Sequence, residues 1–124
     1  MARPTKQTAD YFPHYSVWGK TLFILDKKWG NDGYAFWFKL LELLCRTDGH
    51  AYDASSPDGM EYLVALALMD ESQVIEILTH LAKMGNIDND LWVKKRIIWC
   101  QNLLDNLADL YTKRKDAAPQ KPSL

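Results

Sequence analysis

Few side chains in this sequence are spaced for covalent chemistry. The three histidines, His14, His50 and His80, are scattered. None has a second His or Cys at metal-ligand spacing, so no metal site is expected. Asp88 and Asp90 form a carboxylate pair, but they flank Asn89 in what reads as a hairpin turn, where solvated Asp is ordinary. There is no Gly-rich phosphate loop, no H-E-x-x-H and no nucleophile elbow. The expectation is a non-enzyme without a cofactor. Cys45 and Cys100 make no C-x-x-C and sit among apolar residues, so both read as buried thiols in a reducing compartment. The chemistry on offer is electrostatic. Lys94-Lys95-Arg96 and Lys113-Arg114-Lys115 are basic runs, and Arg3 and Lys6 add charge near the start. Such groups suit backbone phosphates.

The formal net charge of −1 hides this pattern. Residues 1–47 hold seven bases and four acids, residues 48–90 one base and nine acids, and residues 91–124 seven bases and three acids. An acidic middle lies between basic flanks, a distribution that can steer partners. The 124 residues, 48% apolar and 25% charged, fit one globular domain. The longest apolar run, residues 62–69, is far short of the roughly 20 residues of a membrane span. The first seven residues lack an apolar core for a secretory signal. The expected location is the cytoplasm, with no membrane partner.

Several elements must position these charges. Residues 1–14 read as an extended arm, with Pro4 and Pro13 against helix and Tyr11 and Phe12 available for docking. Trp18, Leu22, Leu25 and Trp29 share one helical face, and Gly30 supplies a left-handed stop. Asn31-Asp32-Gly33 reads as a turn with Asp32 as N-cap, and residues 34–46 as the central core helix. His50 to Ala54 alternates like a short strand. Ser56-Pro57 opens a helix with Met60, Leu63, Val64 and Ala67 inward. Asp70 and Gln73 resemble a capping box for a helix over 71–84, with Val74, Ile77, Leu78 and Leu81 as its stripe and Gly85 as its end. Asn86 to Asp88 and Leu91 to Arg96, around Asn89-Asp90, read as a β-hairpin carrying Trp92. Trp99 is expected to anchor the corner into a long helix from Cys100 through Tyr111 to Lys115. Residues 116–124 read as a disordered tail or the start of a linker.

This order predicts a mainly α protein with a small sheet. It is a winged helix-turn-helix over residues 15–115 with extra N- and C-terminal helices. A helical bundle with an incidental hairpin is the competing reading. In a winged helix the second helix of the pair normally enters the major groove. Here its outward face is Gln73, Glu76, His80 and Lys83, with Ser72 and Thr79 alongside. Ser72, Gln73 and Thr79 can read base edges. Asp70, Glu71 and Glu76 oppose phosphate on the same face, so a solvated face or a protein contact competes with groove reading. DNA contact is expected instead through Arg3 and Lys6 of the arm, Lys94, Lys95 and Arg96 of the wing, and Lys113, Arg114 and Lys115.

A family resemblance rests on several segments. They are Ala2-Arg3-Pro4-x-Lys6 leading to Asp10-Tyr11-Phe12-Pro13, Gly33, Lys39-Leu40-Leu41, Asp48-Gly49 and Tyr111-x-Lys113-Arg114. Over residues 2–116 the chain resembles the N-terminal domain of phage replisome organisers, related in architecture to DnaD-like primosome proteins. That resemblance implies a replication-initiation domain that contacts DNA, self-associates and recruits a helicase or its loader. His14 and Tyr15 follow where the family carries an acidic residue, a departure that bears on how the arm docks. Three readings follow. The first is a replisome-organiser domain binding DNA weakly through its basic flanks. The second is a protein-interaction module without DNA contact, dimerising through the C-terminal helix. The third is a repressor in which Gln73, Thr79 and His80 read bases.

Overall fold

The computed structural model describes residues 6–124. Its elements are α1 (Lys20–Arg46), a 3-10 turn (Asp48–His50), β1 (Tyr52–Asp53), α2 (Pro57–Ala67), α3 (Glu71–Lys83), α4 (Asn89–Lys95), β2 (Ile97–Ile98), α5 (Gln101–Asn106) and α6 (Ala108–Arg114). The protein is mainly helical with one two-stranded antiparallel sheet, in which Tyr52 faces Ile98 and Asp53 faces Ile97.

The expected stop at Gly30 is present as a kink inside α1, at φ 61° and ψ −145°. The expected turn at Asn31-Asp32-Gly33 is absent, and Asp32 lies within the resumed helix rather than capping it. Gly33 has a packing role instead. A Cβ there would lie 2.5 Å from the Leu25 carbonyl oxygen and 2.9 Å from the Trp29 Cβ. The kink folds the first half of α1 back onto this bare backbone. Gly33→Ala is therefore expected to lower stability by about 1–3 kcal/mol through overpacking. Urea unfolding checks this, and an unchanged midpoint would show the close approach to be unimportant. Trp18 departs from the helical face expected for it with Leu22, Leu25 and Trp29. Gly19 is extended, α1 begins only at Lys20, and Trp18 stays 40% exposed against Phe23 and Tyr34.

The α2–α3 pair follows its local signals. Ser56 accepts a hydrogen bond from the Gly59 N–H at 3.0 Å, and Pro57 occupies the first turn. Asp70 and Gln73 form a complete capping box. Val74, Ile77, Leu78 and Leu81 are fully buried, as their spacing requires.

The expected wing hairpin is a helix. Asp88 accepts the Leu91 N–H at 2.9 Å and caps α4, which ends at Arg96 in the left-handed region. Asn89-Asp90 lacks the glycine that a tight hairpin turn favours. The N-cap therefore prevails, and Leu91 and Trp92 become the buried side of a short helix. The strand that pairs with β1 is Ile97–Ile98, so the sheet has two strands rather than three. His50, expected in β1, lies in the preceding 3-10 turn. The long C-terminal helix divides at Leu107 (φ −95°, ψ 1°) into α5 and α6. Trp99 is buried at the β2–α5 corner, where its Nε1–H donates to Gln101 Oε1 at 3.1 Å.

One core gathers Phe36, Leu40, Leu44, Leu63, Leu78 and Leu81, and a smaller cluster holds Leu91, Trp99 and Leu104. Cys45 and Cys100 are buried free thiols. Burial, helped by the nearby Glu42 and Cys100, pushes the Cys45 thiol up to about 11. The arm docks through its backbone. The Ala9 N–H donates to the Cys45 carbonyl at 2.8 Å and the Gly49 N–H to the Gln7 carbonyl at 3.1 Å. His14, in place of the acidic residue, stacks on Phe38 with centroids 3.8 Å apart.

Candidate nucleic-acid interface

The basic groups lie at the ends of short helices and on the arm. Lys113 is exposed in the last turn of α6, and Lys115 follows in the left-handed region. Arg114 turns inward between them. Its Nη1 donates to the Thr8 carbonyl at 2.7 Å and the Lys6 carbonyl at 3.4 Å, while its guanidinium lies over the Tyr111 ring. This clamp brings the Lys6 backbone to the end of α6, so arm and C-terminal cluster share one region. The Lys6 side chain pairs with Asp10 at 3.2 Å on the surface, an arrangement of little energetic weight. Arg3 lies outside the described residues.

Lys94, Lys95 and Arg96 are exposed where α4 ends. The Arg96 guanidinium is 4.5 Å from the centroid of the Trp92 ring, a cation–π contact. The C-terminal segment has no helix or strand, yet it is held. Lys121 pairs with Asp88 at 3.1 Å, and Lys95 Nζ donates to the Ser123 carbonyl at 3.2 Å. The hydrogen bond from the Leu91 N–H, helped by the Lys121 pairing, holds the Asp88 carboxyl below its usual range against the opposing effect of burial. Residues 115–123 therefore run from the α6 cluster to the α4 cluster. A fully extended chain of that length spans at most about 29 Å, less than one turn of duplex DNA.

The expected groove-reading face of α3 is divided. Ser72 Oγ donates to Asp70 Oδ1 at 3.3 Å and Gln73 closes the capping box, both at the acidic end beside Glu71. Thr79 Oγ1 accepts the Trp92 Nε1–H at 3.2 Å, which ties α4 to α3. His80 is half-buried with its ring edge-on to Trp29. Burial lowers its pKa, and Lys28 and Lys83 add to the shift. Thr79, His80 and Lys83 line a cavity of about 290 Å³ together with Glu76, Lys28 and Trp29. Lys28 and Trp29 were not among the residues expected from sequence to bind. Their signal was a base–aromatic pair at the end of a helical stripe, of which only Trp29 was read, as part of that apolar face.

The apolar stripe of α5 and α6 is used internally, with Leu103, Leu104, Leu107 and Tyr111 buried in the chain's own core. Among the described residues no group of three or more His, Cys, Asp or Glu could hold a metal ion. No described helix is long and apolar enough to cross a membrane. Neither the curated proteins nor the solved structures contain a match to the chain. A family pattern does match, over residues 11–103, which take in the kinked α1, the α2–α3 pair, α4 and β2. The chain thus belongs to the Lin1244/Lin1753-like, N-terminal family, a phage-type family of unknown function.

Proposed function

We propose that this domain is a replisome-organiser module of phage replication initiation, which holds DNA by its phosphates through a basic belt and offers its acidic face to a protein partner such as a helicase or its loader. The observation that carries the reading is the Arg114 clamp, which brings the backbone of the arm at Lys6 and Thr8 to the end of α6, where Lys113 and Lys115 lie. The C-terminal segment extends the belt to Lys94, Lys95 and Arg96. Phosphate contacts of this kind need no base readout. The order β1, α2, α3, α4, β2 supports a winged-helix reading, with α4 standing where the wing hairpin was expected. The resemblance to phage replisome organisers supports the replication role.

The acidic face favours the recruiting half of the reading. Asp58, Glu61, Asp70, Glu71 and Glu76 are exposed, and none is in an ion pair among the described residues. A basic partner surface is its natural complement.

Fluorescence anisotropy with a labelled duplex, at low and high salt, tests the DNA half. Binding is expected to weaken with a log–log salt slope of about −0.9 per phosphate neutralised. The triple reversal K94E/K95E/R96E is expected to flatten that slope by about 3 and to lower affinity at least tenfold. Absent binding at low salt, or binding indifferent to the reversal, overturns the proposal.

A further inference from the structure

The cavity between the first half of α1 and the outer face of α3 has no role in the belt. Its floor and walls are Lys28, Trp29, Glu76, Thr79, His80 and Lys83. Two lysines line it from separate elements, Lys28 from α1 and Lys83 from α3. Lys28 Nζ lies 5.7 Å from the centroid of the Trp29 ring, and that indole is partly exposed. Nε2 of His80 is shielded from solvent and has no hydrogen-bond partner. A buried polar atom without a partner is uncommon and costly. In the tautomer that carries the proton on Nε2 this atom lacks an acceptor, and Lys28 and Lys83, which help to lower the His80 pKa, favour an anionic one.

We propose that this cavity takes one nucleotide unit of single-stranded nucleic acid, with the base against Trp29, the phosphate between Lys28 and Lys83, and Nε2–H of His80 donating to a phosphate oxygen. The inference rests on the nucleic-acid reading above and adds a second, strand-selective contact to it. An aromatic face beside cations is the recurring arrangement for single strands, because every base has a π-face to stack. A volume of about 290 Å³ suits one small ligand rather than a duplex. Glu76, the one acid of the cavity, repels phosphate but accepts a hydrogen bond from an exocyclic amino group. The Trp29 and His80 rings stand edge to face, so a ligand that reaches Nε2 changes the surroundings of the indole, and its fluorescence reports that change.

The experiment titrates the full chain with an eight-nucleotide single strand, with a duplex and with inorganic phosphate. Tryptophan emission and the NMR signal of the His80 ring are followed together. The single strand is expected to quench emission and to raise the His80 pKa, since an anion reverses the effect of Lys28 and Lys83. Trp29→Leu is expected to lower single-strand affinity about tenfold, the scale of one lost stacking contact, and to change duplex affinity less than twofold. K28E/K83E alters two solvent-exposed positions and is expected to do the same, which covers the case in which Trp29→Leu does not fold. Duplex binding without single-strand binding overturns this inference alone, and binding of neither overturns the basic-belt reading with it. Unchanged single-strand affinity in folded variants overturns it, as does an equal His80 response to inorganic phosphate.

Discussion

Replacing Trp92 by alanine is expected to remove about 3–5 kcal/mol of stability, a large part of the 5–15 kcal/mol typical of a domain. Trp92 is 1% exposed and is among the largest side chains in the core. Its indole fills the space between α4 and α3, and its Nε1–H is bound by Thr79. A helix of seven residues has too few internal hydrogen bonds to persist alone, so α4 depends on this anchor. The loss therefore exceeds the cavity. Lys94, Lys95 and Arg96 lose their common platform, and Arg96 loses the ring beneath it. Urea unfolding followed by far-UV circular dichroism measures the change. Trp92→Phe keeps most of the volume and gives up the hydrogen bond, so its cost is smaller. A loss below about 1 kcal/mol for the alanine variant would show that α4 is not held in this way.

The second large effect centres on His50, a fully buried imidazole. Its Nδ1–H donates to the Leu44 carbonyl at 2.8 Å, which leaves Nε2 to accept from the Tyr111 hydroxyl. Both nitrogens are thus used in the neutral tautomer. His50→Ala strands a carbonyl and a hydroxyl, at about 1–3 kcal/mol for each buried orphan, and adds a cavity. The same site makes stability depend on pH. Burial lowers the His50 pKa from its ordinary 6.5, with Arg114 lowering it further against the raising effects of the Leu44 carbonyl and Asp48. The native state then binds fewer protons than the unfolded chain. The contribution of His50 is complete above pH 6.5 and declines as pH falls from there toward the native pKa, by up to about 1.4 kcal/mol per pH unit. His80, whose pKa is also lowered, acts with the same sign. Denaturation at pH 7.5 and pH 5 stays above the range where carboxylates titrate. His50→Gln is expected to flatten the decline without abolishing it. An identical pH dependence in the two proteins would refute the assignment.

What could be read from the sequence was local. The caps at Ser56 and Asp70 and the stripe from Val74 to Leu81 lie within a few residues of the helices they define. They mark where α2 and α3 start and which face turns inward, while packing of that face supplies the stability. The wing failed because Asp88-Asn89-Asp90 serves equally as turn chemistry or as a helix start. Only the burial of Leu91 and Trp92 decides between the two. Gly33 resembles a turn glycine, and its packing role appears only once Leu25 and Trp29 lie against it. The basic clusters were legible as charge, whereas the inward turn of Arg114 depends on an arm more than one hundred residues earlier. His50 and Tyr111, 61 residues apart, carry no shared pattern at all. The cavity at Trp29 and His80 was hidden for the same reason, because its two walls come from elements that meet only in the folded chain.

The Arg114 clamp also bears on the order in which the molecule comes together. It joins positions 106 apart along the chain, so its formation requires closing nearly the whole polypeptide into a loop. Contacts of such long range are slow to form, and they are rewarded only after the local helices exist to receive them. Few buried side chains other than Ala9 fasten the arm, which therefore forms a separate, weaker cooperative unit. It is expected to dock last during folding and to open first in the native state, which amide hydrogen exchange measures. The docking of the arm on Arg114 is accordingly expected to be a late and reversible event, while the α2–α3 core stays intact beneath it.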